Sequence, residues 1–245
     1  VYSVRIIGRG RAGLSLWRAL TLSGWPVEIV AGRAGDLADA AEGVDVVVIA
    51  TPDGTVAEIA RSIRPVPSTT LAHLSGSQGL DALLPHPRRA AVHPLVPLPT
   101  PEIGAERLRA GATFAVAGDP VAWAMVDALG GRAVEVADQD RARYHAAACI
   151  AANHVVALLG QVERVAGEVG LGLDAFLGLA RAAVEDVERL GPERALTGPA
   201  ARGDWATLDG HLNALPPAER DTYSAGVSLA LRLAAHRDPV ASVPH

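Results

Sequence analysis

The sequence contains no lysine; all 22 of its basic residues are arginine. Schiff-base and pyridoxal chemistry on this chain are therefore excluded, as is a lysine acid or base. The one cysteine, Cys149, cannot form an internal disulfide, so a reducing cytoplasm is the expected setting. Uninterrupted apolar runs fall well short of the roughly 20 residues a membrane helix needs. With no signal-peptide pattern either, no membrane partner is expected. A net charge of -5 argues against a nucleic-acid surface. Cys149 is isolated and no two histidines are spaced as in His-Glu-x-x-His, so no metal is expected. Aromatic residues are scarce, at 4%. What fills the chain is Ala, Val, Leu and Gly, and 245 residues suffice for one large domain or two modest ones.

The most informative stretch lies near the start. Val4-Arg5-Ile6-Ile7 reads as a β-branched strand ending in Gly8-Arg9-Gly10-Arg11-Ala12-Gly13, and apolar residues at helical spacing follow to Leu22. This Gly-x-Gly-x-x-Gly sits between a strand and a helix, the context in which it binds a dinucleotide. Gly8 permits the sharp turn, Gly10 lets a pyrophosphate approach the backbone, and Gly13 lets helix and strand pack closely. The helix N-terminus offers unpaired N–H groups to the phosphates. All six residues are assigned to the cofactor. A plain tight turn is the alternative.

A second strand is expected at 27–30, followed by Ala31-Gly32-Arg33 where such folds meet the adenine ribose. NAD sites usually place an acidic residue there. This chain offers Arg33 instead, which can pair with a 2′-phosphate, so NADP is expected, with NAD as the alternative. A short helix is expected at 36–42 and a buried parallel strand at 44–50. Thr51-Pro52-Asp53 would then turn into a helix beside the cofactor, with Asp53 as its N-cap. A strand at 69–74 delivers His73, Ser75 and Gly76 to the same edge, and one at 90–93 ends in His93. A rigid proline-rich loop runs to about residue 101. The last strands are expected at 113–117 and 133–136, around a helix at 120–129.

From Asp138 no strand pattern recurs. One long helix is expected over 141–169, with others at 173–190, 204–215 and 217–236. A boundary near Val136 divides an α/β domain, 1–136, from an all-helical domain, 137–245. His145, Cys149 and Asn153 fall four residues apart along one side of the long helix. A histidine near a nicotinamide could protonate a nascent alkoxide, and an asparagine could hold the oxygen. Tyr144 and His145 could equally cap contacts between domains. Further on, Asp204, Thr207 and His211 share a helix face after Arg202, which suits a substrate surface; Asp204 as an N-cap is the plainer reading.

Several of these pieces together resemble a family. They are the glycine turn, Ala50-Thr51-Pro52-Asp53, His73-Leu74-Ser75-Gly76, His93-Pro94, Tyr144-His145-Ala146-Ala147-Ala148 with Asn153, and Leu196-Thr197-Gly198-Pro199 continuing through Arg202-Gly203-Asp204 to His211-Leu212. The chain resembles Rossmann-like proteins whose C-terminal half is the domain of unknown function DUF2520. More distantly it is similar to the pyrroline-5-carboxylate reductase, ketopantoate reductase and 6-phosphogluconate dehydrogenase superfamily. That resemblance implies a doubly wound, mostly parallel α/β Rossmann domain. It also implies an all-α C-terminal domain of the 6-phosphogluconate dehydrogenase C-terminal-like type, homodimerisation through that domain, and a site in the cleft between the two.

The implied activity is NADP-dependent reduction of a small oxo-acid or imino-acid, with ketopantoate the first substrate to try. His145 is the first candidate for proton donor and His211 the second. Asn153 and Ser75 orient the reacting atom, Arg202 anchors a carboxylate, and Gly76, His93, Tyr144 and Asp204 line the substrate site. In one respect the chain departs from the pattern. Hydroxyacid dehydrogenases of the superfamily carry a lysine four residues before the helix asparagine, where this chain has Cys149. Two alternatives follow: a non-catalytic NADP-binding sensor or scaffold, and an oxidative decarboxylase like prephenate dehydrogenase.

Overall fold

The computed structural model describes residues 1–31 and 37–236, which form two compact units, Val1–Ala152 and Asn153–His245. The first unit is built on a seven-stranded sheet. Its strands are β1 (Val4–Ile7), β2 (Val27–Val30), β3 (Val46–Ile49), β4 (Thr70–His73), β5 (Arg89–Pro94), β6 (Thr113–Gly118) and β7 (Arg132–Glu135), in the order β2-β1-β3-β4-β5-β6-β7. The first five run parallel; β6 is antiparallel to β5, and β7 is parallel to β6. All strands expected from sequence are present, with ends shifted by a residue or two. The fold is an α/β Rossmann sheet with a helical C-terminal unit.

Strand β3 is apolar throughout and β1 apolar but for Arg5, because helices cover both faces. Ile6, Val46 and Val48 enter one core with Leu16 and Leu20 of α1 (Arg11–Leu22), Leu108 of α3 (Pro101–Arg109) and Met125 of α4 (Val121–Ala128). Ile7, Val47 and Ile49 point the other way, toward Ile59 of α2 (Val56–Ser62) and Leu83. From β1 the chain visits β2 on one side and returns to β3 on the other. This reversal opens a crevice at the carboxyl ends of β1 and β3.

Two expectations give way here, and one helix was not expected. Residues 38–43 form turns, not the short helix expected from Asp36, which itself lies outside the described residues. Asp53 caps nothing: a 3-10 turn at Asp53–Thr55 precedes α2, and its carboxylate accepts a hydrogen bond from the Ser77 hydroxyl at 2.7 Å. Helix α3 follows directly on the proline-rich segment, started by Pro101 at its first turn and capped by Thr100 Oγ1 accepting from the Ile103 amide. Proline there is a start signal, because its missing N–H is one the helix would leave unpaired anyway.

Beyond β7, α5 (Arg141–Cys149) leads through a π turn at Ile150–His154 into α6 (Val155–Gly167), so the single expected helix is interrupted. The sheet ends at Glu135, while the first compact unit continues to Ala152 and includes α5. By length and composition alone the helical stretch Asp138–Gly167 could cross a membrane. Counting uninterrupted apolar residues missed this, because the polar residues in it are spaced apart.

The second unit holds α6, α7 (Asp174–Leu190), α8 (Pro192–Ala195), α9 (Pro199–Arg202), α10 (Trp205–Ala214) and α11 (Pro217–Ala235). Arg164 grips Glu219 through Nε–Oε1 at 2.5 Å and Nη2–Oε2 at 3.1 Å, which ties α6 to α11.

Candidate active site

The glycine turn has the geometry its spacing predicts. Gly8 has φ +119°, open to glycine, and a Cβ there would come within 2.5 Å of the Ala50 carbonyl oxygen. A Cβ on Gly13 would collide with the Gly8 carbonyl oxygen, so only glycine lets α1 lie this close to the end of β1. Gly10, by contrast, is exposed and faces open space. It is the N-cap of α1 with no side-chain cap bond, and the first turn carries no acidic residue. The first amides of α1 therefore remain available to an anion. Arg9 and Arg11 are exposed beside them, and Ala12 is half-buried.

Thr51 and Pro52 follow β3 at the same edge, where the Ala50 amide donates to the Ile7 carbonyl at 2.8 Å. Thr51 accepts from the Thr55 hydroxyl at 2.9 Å. Arg33 lies outside the described residues.

Further along the edge, the loop after β4 meets β5 and α5. Ser75 Oγ accepts from the Ser77 and Gln78 amides at 3.2 and 3.1 Å, which curls the loop and presents Gly76. A Cβ on Gly76 would lie 2.7 Å from His145 Cδ2 and 2.9 Å from His93 Cε1. The two imidazoles meet over this glycine, edge to face, with ring centres 5.8 Å apart. His93 Nδ1 and the Tyr144 hydroxyl share a hydrogen bond of 2.7 Å. Cys149 Sγ lies 3.8 Å from His145 Nε2, one helical turn on.

Burial, with smaller contributions from His145 and Arg141, pushes the His93 pKa down to about 4. Burial likewise holds His73 at about 4, with Arg141 adding to it. Both rings are thus neutral at neutral pH. Burial raises the Tyr144 phenol, with Arg141 opposing. The arrangement offers neutral imidazoles, a phenol and hydroxyls at the carboxyl edge of a dinucleotide fold, a set able to bind and protonate a carbonyl or imine.

The helical unit is more self-contained. Asp204 caps α10 by accepting from the Thr207 amide at 3.2 Å and the Thr207 hydroxyl at 2.8 Å, so its plainer reading holds. His211 Nδ1 shares a 2.6 Å hydrogen bond with the Tyr223 hydroxyl. Both line a cavity of about 490 Å³ walled mainly by apolar residues such as Val162, Val165 and Phe176. Arg202 is exposed. Asn153 falls inside the π turn, whose i→i+5 bonding does not keep the four-residue spacing assumed for it.

Residues 112–229 match the family model of DUF2520, a domain of unknown function. None of the curated proteins matches the chain. Among solved structures it is similar to a Bacteroides fragilis protein provisionally assigned as an NADP oxidoreductase, with 18% identity, TM-score 0.75 and coverage of 94% of this chain and 98% of that one. It is also similar to a reductive aminase from Aspergillus terreus in complex with NADPH and ethyl-5-oxohexanoate (14% identity, TM-score 0.71, 95% and 94% covered). A third is the Plasmodium falciparum pyrroline carboxylate reductase with NADP bound (13%, 0.62, 95% and 98%). At such identities the likeness shows the fold.

The structure also brings forward Arg141, which the sequence pattern did not single out. Arg141 and the expected His73 are fully buried at this edge, with relative exposures of 0% each. Arg141 sits one helical turn before His145 on the same face, and that spacing could have flagged it.

Proposed function

We propose that the protein is an NADP-dependent reductase of small oxo-acids or imino-acids, working as a homodimer through its helical unit in a reducing cytoplasm. The observation that carries this is the glycine turn: Gly8 and Gly13 are forced to be glycine by contact, while Gly10 faces open space at an uncapped helix start. NADP in the Plasmodium enzyme and NADPH in the Aspergillus enzyme support NADP over NAD. Arg33 is the proposed partner of the 2′-phosphate.

When bound, NADPH supplies the hydride to the carbonyl or imine carbon. The chain's own task is to hold that carbon's heteroatom and give it a proton. His145 is the proposed donor, set against His93 over Gly76, and Ser75 orients the reacting atom. Asn153 and His211, in the helical unit, carry the separate roles of orienting residue and second candidate donor. Each is tested by its own alanine variant. Cys149 is free and supplies no lysine-like charge.

Steady-state assays with NADPH against a panel of 2-oxo acids, ketopantoate first, and cyclic imines test the proposal. Turnover with at least one member is expected, with a loss of about 10²-fold or more in His145→Ala while NADPH affinity is kept. Tight NADPH binding with no turnover on any member would instead favour a second reading, a non-catalytic NADP-binding sensor. The cysteine standing where the superfamily has lysine is the observation behind that reading.

A further inference from the structure

Arg141 has a relative exposure of 0%, yet its guanidinium is poorly satisfied. Nη1 donates to the Ser75 carbonyl at a long 3.4 Å. Nε lies 3.4 Å from Asp138 Oδ1, an ion-pair distance without hydrogen-bond geometry. Nη2 has no hydrogen-bond partner among the described residues. Asp138 cannot do much more for it. Its other oxygen accepts from the Leu80 amide at 2.9 Å, and its side chain is 42% exposed.

A guanidinium carries five donors in a planar fork, and a buried one is ordinarily held by a carboxylate and further hydrogen bonds. Nearby His73 is also fully buried, and its Nδ1 likewise has no partner among the described residues. Because His73 Nε2 faces the Gly79 carbonyl oxygen at 3.3 Å, its neutral ring leaves Nδ1 as an acceptor, so it is the cationic Arg141 that marks a site completed by something anionic.

We propose that Arg141 is the receptor for the carboxylate of the substrate, the fork binding both oxygens. This rests on the reductase reading and narrows it to substrates carrying an acid group next to the reacting carbon. Arg141 bonds the carbonyl of Ser75, the residue just before Gly76, where His93 and His145 converge. A carboxylate on Arg141 therefore sits beside the proposed proton donor. Arg202 is exposed, and a solvated charge gains little from pairing. Arg141, not Arg202, then sets the preference for acids.

The test is calorimetry on the full chain, with and without NADP⁺, using pyruvate, 2-oxoisovalerate and ketopantoate, each beside its methyl ester. Wild type is expected to bind at least one acid and to bind its ester at least 30-fold more weakly. Arg141→Gln loses that discrimination, Arg141→Lys keeps part of it, and Arg202→Gln stays within threefold of wild type. NADP⁺ affinity in Arg141→Gln stays within threefold, which separates a substrate carboxylate from a cofactor phosphate. Equal binding of acid and ester by wild type, unchanged discrimination in Arg141→Gln, loss in Arg202→Gln instead, or lost NADP⁺ affinity in Arg141→Gln would each overturn the assignment. Should Arg141→Gln fail to fold, arginine-labelled wild type decides: the Arg141 Nε–H resonance must move with acid and not with ester. If NADP⁺ binds no form, the reductase reading fails, while acid against ester on the cofactor-free chain still judges Arg141.

Discussion

The Tyr144 hydroxyl and His93 Nδ1 lie 2.7 Å apart with their rings at right angles, joining α5 to β5 at the carboxyl edge of the sheet. Because His93 is neutral above about pH 4, its two nitrogens differ, one carrying a proton and one accepting. The phenol helps decide which is which, and so what the ring shows to its neighbours. Tyr144→Phe is expected to cost about 1 kcal/mol in urea unfolding, the net worth of one such bond. It should also change the imidazole ¹⁵N shifts of His93. A variant of wild-type stability with unchanged shifts would show that the pair sets nothing.

The two depressed histidines give stability a predictable pH dependence. His73 and His93 fall from 6.5 to about 4 in the folded chain. Between those values the unfolded chain binds more protons than the folded one, so stability falls as pH drops from 6.5 toward 4 and is unaffected by these groups above it. Each contributes a loss on the order of 3 kcal/mol at the lower end. Urea midpoints measured from pH 7.5 to 4 should decline, and His73→Asn or His93→Asn should each flatten the slope. An unaltered slope in both variants would contradict the buried, neutral state.

Gly76 is the spacer under the imidazole pair. A methyl group there would meet His145 Cδ2 at 2.7 Å and His93 Cε1 at 2.9 Å, so the rings must part. Gly76→Ala should cost roughly 1–3 kcal/mol, as overpacking generally does. It should also lower kcat for any accepted substrate at least tenfold while leaving NADPH affinity intact, since the glycine turn is elsewhere. Gly10→Ala is the converse control: open space surrounds it, so stability holds while NADPH affinity drops. Fluorescence titration and thermal unfolding of the two variants side by side check both.

What the sequence disclosed follows from which interactions are local. Strand β3 is legible because a strand covered on both faces needs an unbroken apolar run, here Val46 to Ile49. The glycine turn is legible because Gly8 and Gly13 answer constraints within the motif or with Ala50 packed against it, while Gly10 opens the helix start. Asp53 is misread because the capping rule looks a few residues ahead, whereas its carboxylate is taken by Ser77, 24 residues on. Arg141 is overlooked for the same reason. A helical arginine reads as a solvated charge until the loop after β4 is seen to bury it. The π turn leaves no sequence signature, and it alters the spacing on which Asn153 was placed.

The helical unit presents the remaining question, what covers its apolar surface. Among its described hydrophobic residues only Ala166 and Leu208 are buried, while Val156, Leu179 and Val184 are 70%, 71% and 65% exposed. An exposed apolar surface of this kind ordinarily marks an interface. A second copy is the proposed occupant, so light scattering should return about twice the 25.3 kDa chain mass. The urea midpoint should rise with protein concentration, because association stabilises only the folded chain. Val156→Glu with Leu179→Glu should weaken association about 30-fold or more, the effect of losing roughly 2 kcal/mol at an interface centre. The helical stretch Asp138–Gly167 suggests the competing outcome, since its composition would also suit a bilayer. A chain that remains monomeric and co-sediments with neutral phosphatidylcholine vesicles would assign the surface to lipid. A dimer that ignores vesicles and splits on the double substitution assigns it to a second copy.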